Sequence, residues 1–391
     1  MNTVRIGIVG FGNMGSAHAA CIHSGKIQNL QLAAVCDISD VRAQLCRELY
    51  PEIPVFADYN EMFASGLLDA VIVAVPHRLH SLIGIAALQA GLHLLSEKPL
   101  DARLSQAQKL VEAAQQSGRV FAIMFNQRTN PLFRRAREIV QSGELGALKR
   151  SVWIITNWYR TQHYYDSGVW RATWAGEGGG VLLNQAPHNL DLWQWICGMP
   201  KSIVAFCDIA KYHDIEVEDD ATIYARYANG AVGTFITTTG EYPGTNRLEI
   251  AGECGKIVLE DGVLKWWRLS ENEKNVRLDS SSESSSVPFT YSEYRPTEPE
   301  TAHAGILQNF TNAILFNEPL IAPGADGLNQ LSLTNAAYLS EWTGNSEVVL
   351  PLDADRFDCE LDARALRSKF RDPAASSVAS SAYSPRWQVN W

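Results

Sequence analysis

From residue 4 to about residue 125 the sequence alternates short apolar runs with amphipathic stretches, and this alternation restricts the fold more than any other feature. The runs VRIGIVG, LAAVCD, AVIVAVP, HLLSEKP and VFAIMFN have strand length, with helical spacing between them. Strands that alternate with helices build a parallel sheet covered on both faces, because each crossover must return over one face. From about residue 203 the pattern changes. ATIYARYANGAVGTFITTTG alternates polar and apolar residues around Asn229-Gly230, a two-residue hairpin signal. The fold class expected is α/β, a doubly wound parallel sheet in one domain, then an α+β domain with a large, mostly antiparallel open sheet. A chain of 391 residues is long enough for both.

The first apolar run leads into Gly10-Phe11-Gly12-Asn13-Met14-Gly15, followed at once by the helical stretch SAHAACIHSG. The G-x-G-x-x-G spacing allows a tight turn, a close approach of backbone to a pyrophosphate, and packing of helix on strand. The helix N-terminus adds free N–H donors and a positive dipole end. The second run ends at Asp37, where a carboxylate can accept both ribose hydroxyl protons of NAD and would repel a 2′-phosphate. NAD is therefore expected over NADP, with Arg42 the residue that could meet a phosphate. Residues 1–125 read as a Rossmann domain, 126–355 as a substrate-binding and oligomerisation domain, and 356–391 as a tail. The tail carries Trp387 and Trp391 and is expected to dock on the body or on a neighbouring subunit.

The fifth strand ends in Ser96-Glu97-Lys98-Pro99, which places a lysine at the carboxyl edge of the sheet, where open α/β sheets bind ligands. Proline after it restricts Lys98 to extended geometry and is compatible with a cis bond. Further on, a glycine run, Gly178-Gly179-Gly180, is followed by Asn184, Gln185, Pro187, His188 and Asp191. Four residues are about one helical turn, so Asn184 and His188 share a face and Asp191 lies near it. Proline is tolerated at the first turn of a helix, so the helix is expected to begin around Pro187 with Asn184 in its entry turn. The plain alternative for His188 is a core histidine satisfied by Asp191 or by backbone.

With GFGNMG, SEKP and this second signature, the sequence resembles the Gfo/Idh/MocA family of oxidoreductases, which includes glucose-fructose oxidoreductase and inositol dehydrogenase. AVPHRLH (74–80), FNQR (125–128) and ADGLNQLSLTNAAYLS (325–340) extend the likeness over nearly the whole chain. The resemblance implies that Ala74, Pro76, His77, His80, Glu97 and Asn126 line the cofactor cleft, and that Trp170 and Arg171 reach over its nicotinamide end. Many members carry aspartate where this chain has Asn184. An amide orients a hydroxyl but accepts no proton, so proton transfer is expected to fall on Lys98 and His188. Oxidation of a secondary alcohol needs a positioned base, and burial beside a cationic nicotinamide would depress the lysine pKa to suit it.

Between the signatures run Trp158 to Tyr165 and Trp170 to Trp174. Aromatic faces stack on the C–H side of a sugar ring while arginine and tyrosine donate to its hydroxyls, so Arg160, Tyr164 and Trp174 are candidate substrate contacts beside Lys98, Asn184 and His188. The same aromatics could instead build an interface. The expected activity is NAD-dependent oxidation of a sugar, glycoside or cyclic polyol. The alternatives are an NAD-recycling glycoside hydrolase working through a 3-keto sugar, and a sugar-sensing regulator without chemistry.

Lysine and arginine total 33 against 43 acids, a formal charge of -10, so no overall positive field would attract a nucleic acid. No apolar stretch approaches the ~20 residues of a membrane span, and the N-terminus reads as a strand instead of a signal, so cytoplasmic residence is expected; the open sheet of the second domain is expected to pack against another subunit, in a homodimer or homotetramer. The seven cysteines are scattered and lack C-x-x-C spacing. They are expected to be reduced core thiols, with no metal site. Residues 280–301, rich in serine, are expected to be a solvated loop.

Overall fold

The structure is a computed structural model that describes residues 3–168 and 170–369. Six strands form the first sheet: β1 (Val4–Val9), β2 (Leu30–Cys36), β3 (Val55–Phe56), β4 (Ala70–Val73), β5 (His93–Ser96) and β6 (Phe121–Ile123). All are parallel, in the order β3-β2-β1-β4-β5-β6. Every residue of β4 and all but one of β1 are buried, as a sheet covered on both faces requires. The order reverses between β1 and β4, so their carboxyl ends open a crevice at the switch point. The two-residue β3 lies at the edge and carries too few apolar residues to register as a run of its own.

Nine strands form the second sheet: β7 (Leu148–Ile155), β8 (Ser202–Ile209), β9 (Glu218–Arg226), β10 (Val232–Thr238), β11 (Asn246–Gly252), β12 (Gly255–Glu260), β13 (Val263–Leu269), β14 (Phe289–Tyr294) and β15 (Val348–Val349). Pairing is antiparallel except between β10 and β7. Its inner face packs on helix Pro187–Cys197 and helix Gly327–Trp342. Trp153, Trp193 and Phe235 meet there, and Trp193 Nε1 donates to Ser151 Oγ at 3.0 Å. Two expectations need correction. The β9–β10 loop has three residues, since Tyr227 N–H donates to Ala231 O at 2.9 Å and Gly230 takes the left-handed φ of 86° that closes a three-residue hairpin. Within the expected loop of 280–301, Phe289–Tyr294 is the edge strand β14, exposed at every position and held by β13, where Trp267 packs on Tyr291 at 5.1 Å. Serine-rich flanks hide this short strand from composition.

Space and chain order part company near the end. Helix Ala302–Phe316 packs back on the first domain, with Gln28 N–H donating to Gln308 Oε1 at 2.8 Å. Ile123 N–H donates to Ala322 O at 3.0 Å, beside the β6 edge. Asn335 bridges the halves by accepting from Leu104 N–H at 2.9 Å and donating to Ala102 O at 3.1 Å. Helix Ala354–Ala365 buries Phe357 and Leu361 against the body, while Trp387 and Trp391 lie outside the described residues. All seven cysteines are unpaired, but only Cys36, Cys46 and Cys207 are core thiols; Cys21, Cys197 and Cys254 are half-buried, and Cys359 is exposed on the last helix. Among the described residues, no helix is long and apolar enough to cross a membrane.

Candidate active site

At the switch point β1 ends in the glycine loop. Gly10 adopts φ 93°, and a Cβ there would sit 2.4 Å from the carbonyl of Ala74, while a Cβ on Gly15 would meet the Gly10 carbonyl at 1.7 Å. Both positions therefore demand glycine for packing. Gly12 differs, because a Cβ would meet nothing within 4 Å: its open side is the cleft itself. Helix Asn13–His23 starts here without a side-chain cap, leaving its first N–H groups available to a phosphate. Asp37 accepts from Phe11 N–H at 2.6 Å and from Ser39 N–H at 2.8 Å, so its carboxylate holds the loop and still has acceptor capacity left. The Phe11 ring is fully buried against Tyr50.

A cleft of about 500 Å³ runs from Asp37 and Arg42, past Gly12, Asn13 and Met14, then Ala74, Pro76 and His77, to Lys98, Asn126 and His188. Five buried polar atoms along it, His77 Nδ1, Asn126 Oδ1, Gln127 Oε1, Gln185 Oε1 and His188 Nδ1, have no hydrogen-bond partner among the described residues. Orphaned groups of this kind are costly unless a ligand satisfies them. The glycine loop, the Asp37 carboxylate and these atoms fit a dinucleotide.

The far end is built from both domains. Lys98, half-buried after β5, donates from Nζ to the main-chain carbonyl of Asn184 at 2.8 Å, and the Lys98-Pro99 peptide is cis. Burial pulls the Lys98 pKa below its ordinary value and the charges of Arg171 and Arg160 add to this, while Glu97 and Glu177 oppose it. His188 stands at the start of helix Pro187–Cys197, as the proline predicts, with its ring edge-on to Phe125 at 6.2 Å. Burial, together with the Lys98 charge, holds His188 well below an ordinary imidazole, so it is neutral. Asp191 does not satisfy it. That carboxylate binds Arg128 through two contacts, at 2.6 and 2.8 Å.

Glu97 is among the cleft-lining residues and bonds the buried His18 Nε2 at 2.7 Å. Burial alone would raise Glu97, but His18, His303 and Lys98 hold it down at about 2. His80 lines the cleft too, but it is almost fully buried and its two ring nitrogens lie 2.6 and 2.7 Å from the carbonyls of Pro99 and Val75, so it fastens the loops there and keeps no nitrogen for a ligand.

Of the aromatic loop, Trp170, Arg171 and Arg160 line the cleft. Tyr164 lies behind them: the guanidinium groups of Arg160 and Arg171 stack on its ring at 5.1 and 4.8 Å, and its hydroxyl accepts from Arg171 at 2.9 Å and Gln185 at 3.1 Å. Trp174, expected to touch substrate, does not reach the cleft; it is 6% exposed and packs edge-on to Tyr338 and Trp342. Its apolar bulk is spent in the core. Sequence reasoning passed over Trp158, Gln127, Gln185 and His303, which also line the cleft, and Glu177, the buried partner of the Asn184 side chain. Glu177 had a signal available, since it is a lone acid wedged between Gly176 and the glycine run.

Sequence profiles place this architecture. Residues 4–125 match "Oxidoreductase family, NAD-binding Rossmann fold", and residues 133–258 match the "GFO/IDH/MocA C-terminal domain". Myo-inositol 2-dehydrogenase of Thermotoga maritima is 26% identical over 86% of this chain and 96% of its own. Inositol 2-dehydrogenase of Corynebacterium glutamicum (strain R) is 31% identical over 50% of this chain and 55% of its own. Among solved structures, the WlbA dehydrogenase from Bordetella pertussis, in complex with NADH and UDP-GlcNAcA, superposes with a TM-score of 0.74 at 26% identity, covering 90% of this chain and 100% of that one. The crevice at the β1/β4 switch point is thus an NAD site, and the chain belongs to the Gfo/Idh/MocA family of NAD-binding oxidoreductases.

Proposed function

We propose that this chain oxidises a secondary hydroxyl of a sugar, glycoside or cyclic polyol, with Lys98 as the general base. The observation that carries the reading is the convergence of Lys98 and His188, from separate domains, on one end of the NAD cleft. When bound, NAD supplies the hydride acceptor, the C4 carbon of its nicotinamide. Lys98, with its pKa lowered by burial, takes the hydroxyl proton onto Nζ as the C–H hydride leaves. Neutral His188 hydrogen-bonds the same hydroxyl, and its orphaned Nδ1 gives it capacity for a ligand. Asn184 accepts from a substrate hydroxyl, and Arg160 donates to another. The glycine loop and Asp37 hold the pyrophosphate and the ribose; Ala74, Pro76 and His77 wall the dinucleotide, and Asn126, Trp170 and Arg171 surround its nicotinamide end.

The curated relatives reported above are inositol dehydrogenases, which supports this reading over the hydrolase and the sensor. Seven unpaired cysteines support a reducing, cytoplasmic setting. The outer face of the second sheet exposes Phe206 at 53% and Tyr224 at 37%, and supports assembly of two or four copies through that face. The test is NADH formation from NAD with myo-inositol, free hexoses, methyl hexosides and anhydro sugars. Stoichiometric NADH with at least one of them is expected. Aglycone release without NADH, or silence across the panel from protein that binds NAD, would overturn the proposal.

A further inference from the structure

Asn184 carries no charge of its own, yet a carboxylate stands beside it. Glu177, on the loop that leads into the glycine run, is 2% exposed and lies against Asn184. One of its oxygens accepts from Asn184 Nδ2, and the other accepts from Ala172 N–H at 2.6 Å. A carboxylate offers acceptors only, so the Asn184 amide must turn its NH₂ group towards Glu177. That leaves Oδ1 of Asn184, which has no partner among the described residues, as an acceptor beside Lys98. The main-chain oxygen of the same residue already holds Lys98 Nζ at 2.8 Å. One buried acid therefore stands behind both the amide that meets a hydroxyl and the amine that takes its proton.

We propose that Glu177 is a positioning residue for the reaction, a buried carboxylate that fixes the Asn184 amide with its oxygen towards the cleft and supplies negative charge facing Lys98. The inference rests on the dehydrogenase reading for its chemistry, but not for its test. The groups around Lys98 are of both signs: Glu97 and Glu177 favour its ammonium form, while Arg171 and Arg160 oppose it. His77, His80, His188 and His303 also face Lys98, each held low by burial. Around Glu177 itself stand Lys98 and Arg171, which favour its ionised form, against the burial that opposes it. Tyr165 and His77, the latter bonded to the Glu177 main chain, are further titratable neighbours; burial pushes the Tyr165 pKa up and the His77 pKa down. Removal of Glu177 thus strips one of these two acids from Lys98, and it frees the Asn184 amide to turn over.

A rival role is local: the bond to Ala172 N–H supports a residue at φ 53°, in the left-handed region, next to Trp170 and Arg171. The two roles are separated by Glu177→Gln, which keeps one acceptor for Ala172 and loses the charge. The readout is the protonation of Lys98, by competitive acetylation of the full-length protein with acetic anhydride across pH and mass spectrometry of the Lys98 peptide. No substrate is needed, so the result stands whether or not a sugar is ever oxidised. In Glu177→Gln the Lys98 midpoint is expected to fall by about one pH unit, the scale of a lost opposite charge nearby. Glu177→Gln combined with Asn184→Asp, which puts the acid back one side chain closer, is expected to restore it. With any substrate found active, kcat of Glu177→Gln measured above the Lys98 midpoint should fall, because the freed amide no longer orients the hydroxyl, while the rise of activity with pH moves down with the midpoint and KM changes little. A midpoint unchanged in Glu177→Gln, or lowered there but not restored by the double variant, overturns the proposal. Should Glu177→Gln fail to fold, Glu177→Ala is read in its place, with the same fall of the Lys98 midpoint expected; an unchanged midpoint overturns the proposal.

Discussion

Lys98 and Asn184 lie 86 positions apart, and the ammonium of the first donates to the main-chain carbonyl of the second at 2.8 Å. This bond crosses from the carboxyl edge of the Rossmann sheet to the entry turn of a helix in the other domain. It joins the NAD-binding half to the half that presents His188, and the amine is thereby fixed before any substrate arrives. Preorganisation of this kind removes the cost of orienting a base during reaction.

Lys98→Met is therefore expected to lower kcat by about 10²–10⁴-fold, the range for loss of a general base, while NADH binding measured by fluorescence changes little. In the wild type, kcat/KM for oxidation should rise with pH as Lys98 deprotonates, with its midpoint below the ordinary lysine value near ~10.4 because burial disfavours the charged form. His188, held neutral, should add no limb near neutrality. A midpoint at or above that of free lysine would contradict the assignment.

Acid stability tests the group next to it. Burial alone would raise Glu97, but the His18 hydrogen bond and the charges of His18, His303 and Lys98 bring it down from 4.5 to about 2. The folded protein consequently binds fewer protons than the unfolded chain between those values. The stabilisation is complete above pH 4.5 and disappears as pH falls towards 2. Urea unfolding followed from neutral pH down to pH ~3 should show a stability slope that Glu97→Gln flattens. An identical slope in that variant would rule out Glu97 as its source.

The Arg128–Asp191 pair predicts a larger effect. Both side chains are 1% exposed, and Arg128 also donates to Asp326 at 2.6 Å and to the carbonyl of Ile321 at 3.2 Å. Arg128→Met leaves a buried carboxylate without its partner and is expected to cost about 3–5 kcal/mol by urea unfolding. Arg128→Met with Asp191→Leu should recover much of that loss, since the stranded charge goes too. A loss below ~1 kcal/mol in the single variant would show that Asp191 finds another partner or a proton.

Much of this arrangement was legible from sequence because it depends on local pattern. The β1 run, the glycine spacing and Asp37 belong to one continuous strand-turn-helix-strand unit, and Pro187 marked the start of the His188 helix. Three kinds of feature escaped. Trp174 has the composition of a sugar platform, but whether an indole faces a cleft or Tyr338 and Trp342 is decided by elements more than 160 residues away. The β14 edge strand carries no buried residue and so leaves no hydrophobic period to detect. Glu177 becomes meaningful only when the turn after the glycine run folds back on the loop before it, and no spacing rule encodes that contact.

The cofactor end gives the last prediction. Asp37 accepts from Phe11 N–H and Ser39 N–H and lines the cleft, where the proposed function makes it the acceptor for the ribose. Asp37→Ala removes the ribose acceptor and lets the glycine loop lose one anchor. With a charged hydrogen bond worth about 1.5–3 kcal/mol, the Kd for NADH should rise about 10- to 100-fold. Asp37→Asn keeps an acceptor for Phe11 and should lose less. In Asp37→Ala the repulsion of a 2′-phosphate also disappears, and Arg42, which lines the same end of the cleft, becomes free to meet it. The preference for NADH over NADPH, measured by fluorescence titration of both, should therefore narrow from two sides at once: weaker NADH and stronger NADPH. Asp37→Ala combined with Arg42→Ala should keep the first change and lose the second. A wild-type protein that binds both dinucleotides equally would show that Asp37 does not select between them.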